Sequence, residues 1–286
     1  MPGQRRVPGG THNGLVILAA VRLVHPAPAL AVTLLSGALG AILLAQAGQS
    51  PNERLWLTVL AVAGSQIFTG ATNDLVDAGR DAVAGRREKP LPAGELTPNV
   101  ALWIASAGLG LQLVASLWLG PLPLLLGLAA AFSAAAYNLA LSRTPLSPIP
   151  YLVSFGILPL WIAAGVGVEL ERVLPAVPLA AAFAAAAHLA NTLHDFEVDA
   201  ATGSRSLAQV IGRRNTRWLA VGCAAAVGLG IGLALILGGR MGWASLALGA
   251  SGLGAVAVGA PRERWLWYAL LLAAVAWTAA WALSTG

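Results

Sequence analysis

The chain has 286 residues, of which 57% are hydrophobic and only 10% charged, with a mean hydropathy of +0.74. Soluble domains carry roughly 25% charged residues, so a soluble globular fold is excluded and the chain reads as an integral membrane protein. The formal net charge of +5 is not a nucleic-acid footprint, because the basic residues sit in short connections between apolar runs, where they orient a protein in a bilayer.

Taken in order, residues 1–14 are basic and rich in Gly and Pro, and read as a flexible tail ahead of a single transmembrane domain, 15–286. Arg5 and Arg6 precede an apolar run as in a signal peptide, but Arg22, His25, Pro26 and Pro28 interrupt that run before it resumes to Ala47. Segment 15–25 is expected to be a helix lying at the membrane interface. A crossing helix needs about 20 apolar residues, and runs of that kind fall at 29–47, 55–73, 99–119, 121–141, 149–168, 174–193, 217–238, 242–260 and 265–283. Gly120-Pro121-Leu122-Pro123 is expected to be a tight hairpin, since the run from 99 to 141 is about twice the length one span needs. The expected fold is therefore all-α and polytopic, with nine transmembrane helices in one bundle around a central cavity.

With nine spans the termini lie on opposite sides. If the N-terminus is cytoplasmic, every Lys and Arg falls on the cytoplasmic side except Arg54, Arg172 and Arg240, the orientation that the positive-inside rule selects. The single cysteine, Cys223, lies in an apolar run and reads as a buried thiol with no disulfide or metal role.

Two stretches stand apart from this apolar background. NDLVDAGRDAVAGRREKPLPAG, residues 73–94, and NTLHDFEVDAATGSRSLA, residues 191–208, contain all the aspartates of the chain: Asp74, Asp77, Asp81, Asp195 and Asp199. Asn73, Asp77 and Asp81 recur every fourth residue, as do Asn191, Asp195 and Asp199, and on an α-helix that spacing stacks three side chains on one face. Both stretches emerge on the cytoplasmic side, at the ends of the second and sixth spans. Carboxylates at a membrane boundary need pairing, water or a cation, and clustered carboxylates raise one another's pKa. Oxygen-only donors favour a hard ion, Mg²⁺ above all, which binds through a few carboxylates together with substrate phosphate oxygens. Arg80, Arg86, Arg87, Lys89 and Arg205 suit the negative charge across such a metal. The pattern is that of a Mg²⁺-bridged diphosphate site at the mouth of an apolar bundle, fit for a ligand with a diphosphate head and a hydrocarbon tail.

At this point the sequence resembles the UbiA-type intramembrane prenyltransferases, which carry two Asp-rich motifs on cytoplasmic loops of a nine-helix bundle. The first motif, N-D-x-x-D-x-x-x-D followed by basic residues and R-P-(L/I)-P-x-G, is matched by Asn73, Asp74, Asp77, Asp81, Arg86, Arg87, Lys89, Pro90, Leu91, Pro92 and Gly94, with Lys89 where Arg is commoner. The second is matched by Asn191, Asp195, Asp199, Gly203, Ser206, Leu207 and Ala208. A Tyr near the end of the fourth span followed by a basic pair is matched by Tyr137 and Arg143, with Ser142 where Lys is usual. The resemblance implies transfer of a prenyl group from an isoprenyl diphosphate to a lipophilic acceptor, an aromatic or quinone precursor in the family's commonest chemistry. It implies two Mg²⁺ ions on Asn73, Asp74, Asp77, Asp81, Asn191, Asp195 and Asp199. Asp77, Asp195 and Tyr137 become catalytic, while Asn73, Arg80, Arg86, Arg87, Lys89, Arg143, Asn191 and Arg205 hold the diphosphate.

Gln66, Thr69 and His188 are candidates to line the same cavity, each set against an ordinary helix-packing role; His194 and Asn138 are weaker candidates. The tryptophans near span ends, such as Trp56, Trp218, Trp243, Trp265 and Trp267, read as interfacial anchors. Two other functions fit the motifs less well. A membrane terpene cyclase captures the carbocation within its own chain. A non-catalytic lipid-diphosphate carrier or Mg²⁺ transporter calls for acidic residues deep in the spans, which the sequence lacks.

Overall fold

The computed structural model describes residues 10–238 and 242–283. Residues 1–9 of the expected tail, and Arg240, lie outside them. Among the described residues there is no strand. Twelve α-helices follow in chain order: α1 Gly10–Leu23, α2 Pro26–Gln46, α3 Glu53–Val83, α4 Pro98–Leu119, α5 Pro121–Ala136, α6 Ile149–Val166, α7 Ala176–His194, α8 Phe196–Ala201, α9 Leu207–Ile211, α10 Arg213–Leu237, α11 Trp243–Gly259 and α12 Glu263–Leu283. A single π-helical turn, Tyr137–Leu141, prolongs α5.

Eight of these helices, α5 counted together with its π turn, are long and apolar enough to cross a membrane. The expected ninth, 242–260, is α11, an apolar helix of 17 residues, about 25 Å long at 1.5 Å per residue and at the short end of the range that crosses a bilayer. Gly242 before it and Pro261 after it bound the helix. The interfacial helix expected over 15–25 is α1, which starts sooner, at Gly10, and ends at Leu23. Leu15, Val16, Ile17 and Leu18 are exposed on it, an apolar face turned outward.

The local chemistry that starts and stops the helices is conventional. Asn52 caps α3, accepting from the Arg54 and Leu55 amides at 3.1 and 3.4 Å. Thr97 caps α4 ahead of Pro98, and Gly120, at φ 118°, turns the chain into Pro121 of α5. The tight hairpin expected there is present.

Packing between spans rests on small residues. Gly64 of α3 and Gly108 of α4 face each other so closely that a Cβ on Gly64 would come within 2.6 Å of the Gly108 carbonyl and of the Gln112 amide. Close approach of this kind substitutes for the hydrophobic drive that lipid abolishes. At the opposite end from the Asp stretches, Arg54 is a structural staple: its Nη2 donates to the carbonyls of Leu119 and Ala164, at 3.0 and 3.1 Å, closing the C-termini of α4 and α6. The outer surface carries exposed Trp103, Trp118, Phe132 and Trp243, as expected of helices whose solvent is lipid.

Candidate active site

Helix α3 is the arm that carries the first stretch. Its 31 residues run about 46 Å, well beyond the hydrocarbon thickness, so the last turns, from Asn73 onward, project past the span. Asn73, Asp77 and Asp81 lie on that unbroken helix with the spacing the sequence predicts. Past Val83, Gly85 at φ 72° reverses the chain and Gly94 at φ 74° turns it toward α4, a conformation that suits glycine. The connecting loop folds Arg86 and Lys89 back onto the helix.

Lys89 is the hub of this half. Its Nζ donates to Asp74 Oδ1 at 2.9 Å and to Asp81 Oδ2 at 2.7 Å. Asp74 is 2% exposed, and the same Oδ1 stands 3.0 Å from Nε2 of His25. Burial works against the Lys89 ammonium, but Asp74 and Asp81 more than offset it and raise its pKa. Asp77 is paired with Arg80 one turn on. Asn73 donates to Oδ1 of Asn138 at 3.2 Å, and Asn138, in the π turn, donates in turn to the Thr69 carbonyl at 3.1 Å.

The second stretch is built differently. Helix α7 ends at His194, and Asp195, at φ −96° and ψ 8°, separates it from the short α8. One continuous helical face through Asn191, Asp195 and Asp199 is thus not what forms, although the Asp199 amide still bonds the Asp195 carbonyl at 2.8 Å. The side chain of Asp195 meets Arg86, whose Nη2 reaches Asp195 Oδ1 at 2.5 Å while Nη1 stands 3.7 Å from Asp81. That guanidinium joins the two stretches across 109 residues of sequence. Burial opposes its charge, and Asp195, Asp81 and Asp199 overcome this and raise its pKa. For Asp199, burial first and the neighbouring Asp195 charge second push the carboxyl up, against Arg86, Arg80 and Arg143.

Backbone hooks hold the second stretch in place. Arg143 donates to the Thr202 carbonyl, and the Arg205 amide returns a bond to the Arg143 carbonyl at 3.0 Å. Gln209 donates to the Phe196 carbonyl at 2.7 Å, and Arg213 bridges Glu197 and Glu263 at 2.8 and 2.7 Å. Arg87, Asn191 and Arg205 are exposed. His194 is exposed too, whereas His188 is buried beside Tyr137 and Tyr151. Gln66 and Thr69 are half-buried on α3.

The structure thus brings Asp74, Asp77, Asp81, Asp195 and Asp199 to one end of the bundle, each beside basic groups. Among the described residues no three His, Cys, Asp or Glu side chains are gathered as a metal-holding group, because Lys89 and Arg86 stand between the carboxylates. The donor set is nonetheless all oxygen, the chemistry a hard divalent ion requires. Sequence reasoning passed over His25, whose only signal was its place between Leu23 and Pro26 at a helix junction. It also passed over Tyr151 and Ser147, which carry no motif.

No curated protein matches the chain. Among solved structures, a UbiA homologue from Archaeoglobus fulgidus bound to GPP and Mg²⁺ has a TM-score of 0.71 at 16% identity, covering 94% of this chain and 100% of that one. A UbiA homologue from Aeropyrum pernix K1 has a TM-score of 0.70 at 19% identity, covering 87% and 96%. A structure of digeranylgeranylglyceryl phosphate synthase has a TM-score of 0.68 at 17% identity, covering 94% and 99%. At these identities the likeness is one of fold. The sequence pattern of the UbiA prenyltransferase family matches residues 33–262, most of the chain and both Asp stretches. The chain belongs to the UbiA prenyltransferase family.

Proposed function

We propose that the protein transfers a prenyl group from an isoprenyl diphosphate to a lipophilic acceptor and releases diphosphate, using Mg²⁺ held between the two Asp stretches. The observation that carries this reading is the Arg86 bridge between Asp81 and Asp195, which draws two distant carboxylate groups to one end of an apolar bundle. Family membership supports the reaction type, and the Archaeoglobus fulgidus homologue bound to GPP and Mg²⁺ supports the donor and the ion.

Asp77, Asp81, Asp195 and Asp199, with Asn73 and Asn191, are the oxygen donors that would hold the ions, two by the family resemblance. Asp74 differs: it is 2% exposed and committed to His25 and Lys89. Mg²⁺ held by those oxygen donors would supply positive charge against the diphosphate oxygens as the allylic C–O bond breaks. Lys89 and Arg86 neutralise the carboxylates in the state described here, and would place positive charge beside the diphosphate oxygens with a divalent ion bound. Arg80, Arg87, Arg143 and Arg205 add positive charge around the same mouth, and Arg143 also fixes the loop that carries Arg205. Tyr137, at the end of the fourth span, meets Tyr151 and His188 edge-on. The apolar walls exclude water that would otherwise capture the cation. The acceptor is an aromatic or quinone precursor, and the acidic mouth faces the cytoplasm, the side to which the basic residues assign it.

The test is a purified-protein assay with labelled geranyl diphosphate, with and without aromatic acceptors. Diphosphate release that stops on chelation and returns with Mg²⁺, with label appearing in the acceptor, is expected. Labelled hydrocarbon formed without acceptor identifies a cyclase instead, and binding with no diphosphate release identifies a carrier.

A further inference from the structure

Beneath the acidic mouth lies a polar centre in an aromatic setting that the diphosphate chemistry does not use. His188 is 1% exposed, and its Nε2 stands 3.1 Å from Oγ of Ser147, which is 0% exposed. The Leu207 amide, at the start of α9, donates to the same Oγ at 3.5 Å. A buried hydroxyl proton needs an acceptor, and the acceptor at hand for Ser147 is Nε2. The hydroxyl therefore donates to Nε2, which fixes the ring proton on the other nitrogen, Nδ1. That Nδ1 is buried and has no hydrogen-bond partner. A donor left unpaired in an apolar interior is costly, and a group of this kind is accounted for by a ligand that completes it.

The surroundings state what such a ligand is like. The His188 ring lies 4.5 Å from Tyr151, tilted by 31°, and meets Tyr137 edge-on at 5.7 Å. Tyr137 meets Tyr151 edge-on at 5.1 Å, and Phe155 stacks parallel to Tyr151 at 6.2 Å. Tyr137, Tyr151 and Phe155 are each only partly covered, so these rings offer surface to a further flat group. Flat rings suit offset or edge contacts with aromatic partners. A single N–H donor among them selects for an oxygen on such a ring.

We infer that Nδ1–H of His188 is the donor that holds a hydroxyl or carbonyl oxygen of the lipophilic acceptor, with Tyr137, Tyr151 and Phe155 flanking the acceptor's ring. The inference rests on the prenyl-transfer reading and deepens it by naming the acceptor's chemistry. Ser147 is then a positioning residue: its hydroxyl keeps the ring proton on Nδ1, and through the Leu207 amide it ties this centre to the second Asp stretch.

The experiment uses the full chain in lipid nanodiscs with Mg²⁺, labelled geranyl diphosphate and 1,4-dihydroxynaphthalene as the probe acceptor. Two quantities are read together, diphosphate released and prenylated probe formed, and the product made per diphosphate released is the decisive ratio. His188→Phe keeps the ring and removes the donor, and loss of that hydrogen bond is expected to lower the ratio by about tenfold or more. His188→Asn, whose amide nitrogen stands near the place of Nδ1, is expected to recover much of it. Ser147→Ala is expected to lower the ratio in the same direction, by less. A merely structural role for His188 lowers both quantities together and leaves the ratio unchanged, which overturns the inference. So does a wild type that releases diphosphate but does not prenylate the probe. A wild type that releases no diphosphate at all is a different failure, since it removes the prenyl-transfer reading and takes this inference with it.

Discussion

The two Asp stretches share a spacing and little else. The first rides on an unbroken helix, with Asp74 and Asp81 buried, Lys89 shared between them and His25 behind. The second starts where a helix ends, leaves Asp195 35% exposed and is held mainly by backbone carbonyls that accept from Arg143 and Gln209. One half of the site is therefore rigid before any ligand arrives, while the other is attached at a few points and can adjust. A site proposed to admit a diphosphate and then release it is served by such a division, because the firmly held half sets the geometry that the other half meets.

The largest effect that tests this comparison is on turnover. Asp77→Ala in the first stretch and Asp195→Ala in the second are each expected to reduce diphosphate release by about a thousandfold or more, with helical content and melting unchanged to within a few degrees. Retained turnover in both variants would sink the shared site. Stability should separate the two halves next. Lys89→Met strands the buried Asp74 and Asp81, and removing one member of a buried ion group lowers stability by about 3–5 kcal/mol. Arg205→Met, on an exposed residue, should change stability by no more than about 0.5 kcal/mol. Thermal unfolding in detergent checks both, and equal losses would erase the distinction.

A smaller, pH-dependent effect belongs to the second half. Burial and the Asp195 charge raise the Asp199 carboxyl above its usual 3.8, so the folded state holds that proton more tightly than the unfolded chain. Its ionisation at neutral pH then works against folding, and the penalty is relieved as pH falls through the raised pKa and is gone below 3.8. In chelated protein, Asp199→Asn should raise the melting temperature at neutral pH, with the gain fading in acid. The smallest effect is at Arg213, which is 44% exposed and pairs with the exposed Glu197 and the partly buried Glu263. Arg213→Ala should lower stability by about 1 kcal/mol or less, and should quicken amide exchange in α8 more than in the last turns of α3.

How much of this was legible in the sequence follows the same division. The face made by Asn73, Asp77 and Asp81 could be read because α3 continues through it, so local periodicity and structure agree. The break at Asp195 could not, because no Gly or Pro marks it locally and the residue that Asp195 meets, Arg86, is far away in sequence. Lys89 was expected on the diphosphate, yet its first task is to neutralise Asp74 and Asp81, a need visible only once the burial of those carboxylates is known. His25 was out of reach for another reason: it occupies a left-handed backbone at φ 53°, and a conformation that few non-glycine residues adopt carries no periodic signal. The apolar spans were easy to locate because hydropathy is a sum over many residues. The ninth, α11, is the marginal one, because a few residues at either end decide whether a helix reaches across.

The π turn at Tyr137–Leu141 also decides what a one-residue change in chain length would do at this point. Such a turn holds one residue more than the α-helix it interrupts, and each residue of an α-helix rotates the face by about 100°. Deleting Ala140 would let the helix run on regularly and swing the residues on one side of the deletion relative to those on the other. Tyr137 and Asn138, which now look toward His188 and toward Asn73, would lose their shared alignment with Arg143 downstream. A one-residue change in length at this turn therefore acts as a register dial, resetting which groups the fourth span presents without touching a motif residue.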